Sequence, residues 1–184
     1  MVKISYIGAG SKVFTLKLVS DILSFPEMRK NCEISLMDVN KTRLNHTFDS
    51  LISFKEKYAE ELSNVEFTKT LDQRESISGA RHVISSFMVG GKEAYSKDFK
   101  IPRKYGVRQV VGDTLGPGGI FRFLRSVPVL QSIIQDMKEV GYNSNEEVRA
   151  KPVLLNYVNP MAMNTWYCNA IAEEEVDVIG LCHG

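Results

Sequence analysis

Val2-Lys3-Ile4-Ser5-Tyr6-Ile7-Gly8-Ala9-Gly10-Ser11-Lys12-Val13 is the stretch that decides the fold. Val2, Ile4, Tyr6 and Ile7 make a short apolar strand that runs straight into a glycine turn, and the turn feeds a helix. One glycine at the tight turn and a second where the backbone passes close to a ligand let a diphosphate sit on the N–H groups of the helix start. Gly8, Ala9, Gly10, Ser11, Lys12 and Val13 are therefore the candidate cofactor-binding residues. Val13 stands where the usual fingerprint has its third glycine, and the motif alone fits a plain βαβ turn as well. Context separates the two readings. Glu33-Ile34-Ser35-Leu36-Met37-Asp38 is a second strand ending in an acid, at about the ~20-residue spacing at which a carboxylate meets the ribose of a dinucleotide. Asp38 suits the free 2′-hydroxyl of NAD and repels a 2′-phosphate.

The 184 residues suffice for one domain with a real core, or for one lobe of a larger protein. With 43% hydrophobic and 24% charged residues, the chain has the balance of a soluble globular protein. No apolar run reaches the ~18 residues of a membrane span, and the start carries no secretory signal, so the expected home is the cytoplasm, with no membrane partner. A net charge of +1 with interspersed signs excludes a basic stripe and argues against a nucleic-acid partner. The three cysteines, Cys32, Cys168 and Cys182, are odd in number and far apart, which predicts reduced thiols rather than a disulfide framework.

Strands and helices alternate along the rest of the chain. Residues 13–23 predict the helix at the glycine turn, stopped by Ser24-Phe25-Pro26, and residues 41–62 an amphipathic helix covering one sheet face. Residues 65–69 alternate as an edge strand, and residues 82–87 form a buried strand whose first residue, His82, reads as a surface or capping group. Val89-Gly90-Gly91 then forms a loop at the carboxyl edge. Residues 92–105 read as a helix interrupted by Pro102. The glycine-rich stretch 106–119 is expected to be irregular and folded over a site, because it holds few charges and leads into the apolar helix 120–140. After a polar connection, residues 152–160 predict a fifth strand ending in Asn156 and Asn159, residues 161–171 a helix, and residues 176–181 a sixth strand before Cys182-His183-Gly184.

Six strands with intervening helices predict an α/β fold, a Rossmann-like doubly wound parallel sheet in the order 3-2-1-4-5-6. Its crevice would receive the glycine turn, Asp38, residues 88–91, Asn156, Asn159 and Cys182, all at carboxyl ends of strands. Thiolate and imidazole both bind transition metals, but neighbours on an extended strand point to opposite faces, so Cys182 and His183 are not expected to hold one ion. On those two residues alone, a structural Cys182 is the simpler reading.

Three further stretches carry a resemblance: residues 111–120 (Val-Gly-Asp-Thr-Leu-Gly-Pro-Gly-Gly-Ile), residues 155–166 (Leu-Asn-Tyr-Val-Asn-Pro-Met-Ala-Met-Asn-Thr-Trp) and Gly180-Leu181-Cys182-His183. Together with Ile7-Gly8-Ala9-Gly10-Ser11 they resemble glycoside hydrolase family 4, most closely its bacterial α-galactosidase branch, over essentially the whole chain. The resemblance implies an NAD- and metal-dependent enzyme, Mn²⁺ being the usual metal, with a lactate/malate dehydrogenase-like amino-terminal lobe. The family stands outside two-carboxylate glycosidase chemistry. It implies that NAD⁺ takes a hydride from C3 of the sugar, a base removes the acidified C2 proton as the aglycone leaves, water adds, and the hydride returns. By position, Cys182 matches the metal-ligand cysteine, and Asn159 matches the substrate-binding asparagine, with Asp113 placed beside it at the sugar. Gly8, Gly10, Asp38 and Asn156 match the cofactor site, and His183 the position of the proton donor.

Two departures shape the expectation. Phosphoglycosidase relatives carry an arginine where Tyr95 stands, which favours an unphosphorylated α-galactoside as the small-molecule substrate. Family members are also more than twice as long, so the resemblance is to an amino-terminal portion: residues 1–184 are expected to be an NAD-binding lobe that lacks the base and the second metal ligand. Such a lobe is expected to bind NAD weakly and to be inactive alone, and a homo-oligomer is expected of the full-length relative. A 2-hydroxy-acid dehydrogenase and a non-catalytic nucleotide-binding module are the alternative readings.

Overall fold

The computed structural model describes residues 1–109, 116–142 and 150–182. In chain order the elements are β1 (Val2–Ile7), α1 (Lys12–Leu23), α2 (Pro26–Arg29), β2 (Cys32–Met37), α3 (Lys41–Lys57), β3 (Val65–Thr70) and α4 (Gln73–Ile77). They continue with β4 (His82–Ser85), α5 (Gly91–Arg103), α6 (Pro117–Val140), β5 (Val153–Asn156), α7 (Met161–Ala172) and β6 (Asp177–Gly180). The six strands form one parallel sheet in the order β3-β2-β1-β4-β5-β6, as the alternation of elements predicted. The order reverses between β1 and β4, where Ile4 pairs with both Ile34 and His82. Their carboxyl ends therefore splay apart into a crevice.

Both faces of the sheet are covered, which is why its central strands read as near-continuous apolar runs. Ile4, Tyr6, Ile34 and Leu36 pack with Val19 of α1 and with Leu44 and Leu51 of α3 in one core. Ile7, Val83 and Leu154 pack with Ile77 of α4, Leu130, Ile133 and Ile134 of α6, and Cys168 of α7 in the other. No helix among the described residues is long and apolar enough to cross a membrane.

Several boundaries differ from the sequence reading. Helix α3 ends at Lys57 rather than at 62, because Tyr58 leaves the helical region and its ring tilts against Phe54 at 5.0 Å. Strand β5 stops at Asn156, and β4 at Ser85, because the chain turns over the crevice at both points. Helices α2 and α4 were not foreseen. The signal for α4 is nonetheless in Asp72-Gln73-Arg74-Glu75: the Asp72 carboxylate accepts the Glu75 N–H at 2.9 Å, a capping interaction. Three buried hydroxyls then fasten α4 to the sheet, with Ser76 2.7 Å from Ser5 and 3.1 Å from Ser35.

The glycine-rich stretch is not irregular throughout, since Pro117, Gly118 and Gly119 form the first turn of α6. Proline suits a first helical turn because its missing N–H would have no helical partner there. Gly118 is required by close approach. A side chain on it would overlap the Asp98 carbonyl of α5, and its N–H donates to Gln109 Oε1 at 2.9 Å.

Candidate functional site

The glycine turn is clamped to the end of β2. The N–H groups of Gly8 and Ala9 both donate to the Met37 carbonyl at 2.9 Å, and Gly10 N–H donates to Asp38 Oδ2 at 2.8 Å. Gly8 has φ +92°, and a Cβ there would overlap the Ser86 carbonyl, so glycine is what lets β1 and β4 part so closely. A Cβ on Gly10 would lie 2.6 Å from Asp38 Oδ2. The missing side chains thus serve contacts within the protein as well as any ligand. Gly8, Ala9 and Gly10, expected at the diphosphate, spend their N–H groups on acceptors within the protein. Among the described residues, Ser11 and Val13 have N–H groups without a protein partner, and they stand at the start of α1.

Asp38 is buried, and both of its oxygens are engaged. Oδ1 accepts the Asn40 N–H at 2.8 Å, Oδ2 accepts the Gly10 N–H, and Arg43 Nη2 lies 3.6 Å away. Asn40 in turn caps α3 by accepting the Arg43 N–H at 3.0 Å. Asp38 is therefore first a clamp between turn and strand, while its edge still lines the crevice beside Val39.

The crevice is a cleft of about 660 Å³. Gly8, Ser11 and Asp38 line one wall, and residues 86–91, Tyr95 and Arg122 the other. Gly90 and Gly91, at φ +80° and +58°, turn the second wall into α5. Lys12 and Val13 are exposed and lie outside the lining. A smaller hollow of about 200 Å³ adjoins the cleft and is lined by Phe14, Ser86, Tyr157, Asn159, Leu181 and Cys182. Ser86, Tyr157 and Asn159 face both spaces. Asn159 precedes a cis peptide bond to Pro160.

The structure thus brings Asn159 and Cys182 to one hollow. Asn156 lies apart from that hollow. It is fully buried: its Oδ1 accepts Ser85 Oγ–H and the Val158 N–H, both at 3.1 Å, and its Nδ2 donates to Thr165 Oγ1 at 3.2 Å. Its amide locks the β5–α7 turn, and the residue expected at the cofactor is not among those lining the cleft. Asp113 and His183 lie outside the described residues.

Cys32 and Cys168 are pushed up to about 11 and about 12 by burial, and Glu33 adds to the effect at Cys32, so both thiols stay protonated. Cys182 is the exposed cysteine. Burial also raises the Tyr157 phenol, and the Asp21 charge adds to it; the ring packs edge-on against Phe14 at 5.3 Å.

Sequence reasoning missed a charged group on the second wall. Asp98 Oδ2 accepts from Arg122 Nε at 3.1 Å and from Arg125 Nη2 at 2.6 Å, and Arg122 lies over the Tyr95 ring at 4.8 Å. Its signal was faint, because an aspartate on α5 and arginines spaced by three on α6 read as ordinary solvated helix faces.

A dinucleotide fits this arrangement: an open helix start, a cleft at the reversal of strand order, and cationic lining from Arg43, Lys92 and Arg122. A divalent metal ion does not fit the described residues alone. None of them form a group of three His, Cys, Asp or Glu side chains able to hold one, and the smaller hollow offers one thiol beside the side chains of Ser86, Tyr157 and Asn159.

The model of the family 4 glycosyl hydrolases matches residues 3–184. The chain belongs to this family. An α-galactosidase of Rhizobium meliloti (strain 1021) is 46% identical over 99% of the chain, which covers 34% of that relative. A 6-phospho-α-glucosidase from gut microorganisms, solved with NAD and glucose 6-phosphate, has a TM-score of 0.78 and 26% identity; 98% of this chain covers 38% of it. The 6-phospho-β-glucosidase of Thermotoga maritima, solved with manganese, NAD⁺ and glucose 6-phosphate, shares the fold, with a TM-score of 0.80 and 22% identity over 99% of this chain and 40% of that one. The chain thus spans a third to two fifths of the length of these family 4 relatives.

Proposed function

We propose that the chain forms the dinucleotide-binding lobe of an α-galactosidase-type family 4 glycosidase and binds NAD⁺ in the cleft between β1 and β4. The observation that carries this reading is the cleft itself, set at the reversal of strand order between an open helix start and the Gly90–Gly91 turn. The 46% identical α-galactosidase supports the sugar class, and the related glucosidase solved with NAD supports the cofactor. Bound NAD⁺ supplies a hydride acceptor. In this reading the N–H group of Ser11, at the start of α1, meets its diphosphate, and Asp38 keeps the turn against β2 while its edge meets the ribose.

Asn159, between the cleft and the smaller hollow, would orient a sugar hydroxyl at the nicotinamide end. Cys182 is proposed as one ligand of a divalent ion such as Mn²⁺, the remaining ligands lying outside the described residues. Asp113 and His183 keep their proposed roles in binding the sugar and in donating a proton to the leaving oxygen. Tyr95, a neutral ring on the cleft wall, supports an unphosphorylated α-galactoside.

Calorimetric titration of the purified chain with NAD⁺ tests the reading. Saturable binding by the wild type and its loss in Gly8→Ala, where a Cβ would overlap the Ser86 carbonyl, is the expected result. A folded wild-type chain that takes up no NAD⁺ overturns it.

A further inference from the structure

The end of the cleft at β2 holds a charge that the proposed chemistry has not used. Asp38 is largely spent there: its side chain is 4% exposed, Oδ1 accepts the Asn40 N–H and Oδ2 the Gly10 N–H, both at 2.8 Å. Arg43 stands beside it in the first turn of α3 and lines the cleft with its side chain 62% exposed. The start of α3 is seated against the glycine turn, since a Cβ on Gly10 would lie 3.0 Å from Arg43 Cβ. That seat fixes where along the cleft the guanidinium can reach. It is the end where the acid closing β2 meets the glycine turn, and in this fold that end takes the adenosine ribose. The one ion pair of Arg43 among the described residues is with Asp38 Oδ1, and at 3.6 Å its Nη2 is too far for a hydrogen bond. Its donors are therefore open to a ligand.

We propose that Arg43 meets the 2′ position of the adenosine ribose and sets how strongly this lobe discriminates against a 2′-phosphorylated dinucleotide. The inference rests on the NAD-binding reading above and goes beyond it. A bare carboxylate at the end of β2 turns a 2′-phosphate away by its charge. Here the carboxylate is shared between two N–H groups, lies close to a cation and is nearly buried, whereas the cation stands at the rim. A guanidinium takes two phosphoryl oxygens at once, while a 2′-hydroxyl offers it only a neutral acceptor. Arg43 thus offsets Asp38 toward NADP⁺ and matters little to NAD⁺.

The test is calorimetry on the purified chain with NAD⁺ and NADP⁺, read as the ratio of the two Kd values. Arg43→Gln should weaken NADP⁺ about tenfold and NAD⁺ by less than about threefold, so that the ratio moves against NADP⁺. Arg43→Lys, which keeps the charge without the fork, should fall between the wild type and Arg43→Gln. Lys41→Gln is the control, because Lys41 is an exposed cation of the same helix start that does not line the cleft. Its charge acts through water and salt, so its loss should move the ratio by less than about twofold.

An unchanged ratio in folded Arg43→Gln overturns the proposal, and so does a wild type that binds NAD⁺ but takes up no NADP⁺. Equal losses of both dinucleotides also overturn it, because they put Arg43 at a part of the cofactor that the two share. A shift in Lys41→Gln as large as that in Arg43→Gln overturns it as well, since the general field of the helix start would then suffice. In all four outcomes NAD⁺ still binds the wild type and the nucleotide reading stands. A folded wild type that binds neither dinucleotide ends that reading, and this one with it.

Discussion

His82 begins β4 at the end of the sheet away from the cleft, half-buried, with its Nδ1 buried and without a hydrogen-bond partner among the described residues. Burial, and secondarily the Arg81 charge, lower its pKa from the ordinary value of 6.5. The sign of the consequence follows from proton binding. Between the lowered folded value and 6.5 the unfolded chain binds more protons than the folded one, so stability rises with pH across that window. Above 6.5 the imidazole is neutral in both states and the contribution is fully present. Urea unfolding should therefore show the wild type losing stability through this group as the pH falls below 6.5. His82→Gln should remove that part of the slope. Equal slopes for the two proteins would mean that the ring is hydrated rather than desolvated. The sequence reading made His82 a surface or capping group; in the structure it is half-buried, with Nδ1 out of water.

Elements were legible where one physical signal dominated. The strands of the central sheet stood out because burial on both faces makes them apolar throughout, and the order of strands followed from right-handed crossovers and the glycine turn. The short helices were not legible as periodic patterns, since four or five residues complete barely one turn. Only the cap announces α4. Asp72→Ala should accordingly remove the bond to the Glu75 N–H and cost about 1 kcal/mol, measured by chemical denaturation. The loss should be felt across the sheet, because α4 carries Ser76 and Ile77 into contact with the core. A neutral Asp72→Ala would show that the serine cluster holds α4 without its cap. The same limit explains the site. Asn159 and Cys182 were legible as residues at carboxyl ends of strands, whereas the burial of Asn156 depends on hydrogen bonds to Ser85 and Thr165, partners 71 and nine residues away that no local pattern reveals. The Asp98–Arg122–Arg125 group is hidden for the same reason, its partners being 24 and 27 residues apart.

At the scale of the whole molecule, the cleft lies between two packed layers that meet mainly through the sheet. One core gathers α1 and α3, and the other α4, α6 and α7. A dinucleotide held between the glycine turn and residues 86–91 would bridge segments that leave neighbouring strands in opposite senses, and it would bind the folded chain alone. Anything that binds only the folded state stabilises it by about 2.7 kcal/mol at a hundredfold excess over Kd. For a domain of this size that corresponds to a rise in Tm of roughly 5 to 10 °C, growing with the logarithm of NAD⁺ concentration. Mn²⁺ alone should shift Tm far less, since the described residues include no group of three metal-binding side chains. Thermal melts across a range of NAD⁺ and Mn²⁺ concentrations make the comparison directly. A Tm that follows Mn²⁺ and ignores NAD⁺ would place the ligand-linked stability at the Cys182 hollow instead of the cleft between β1 and β4.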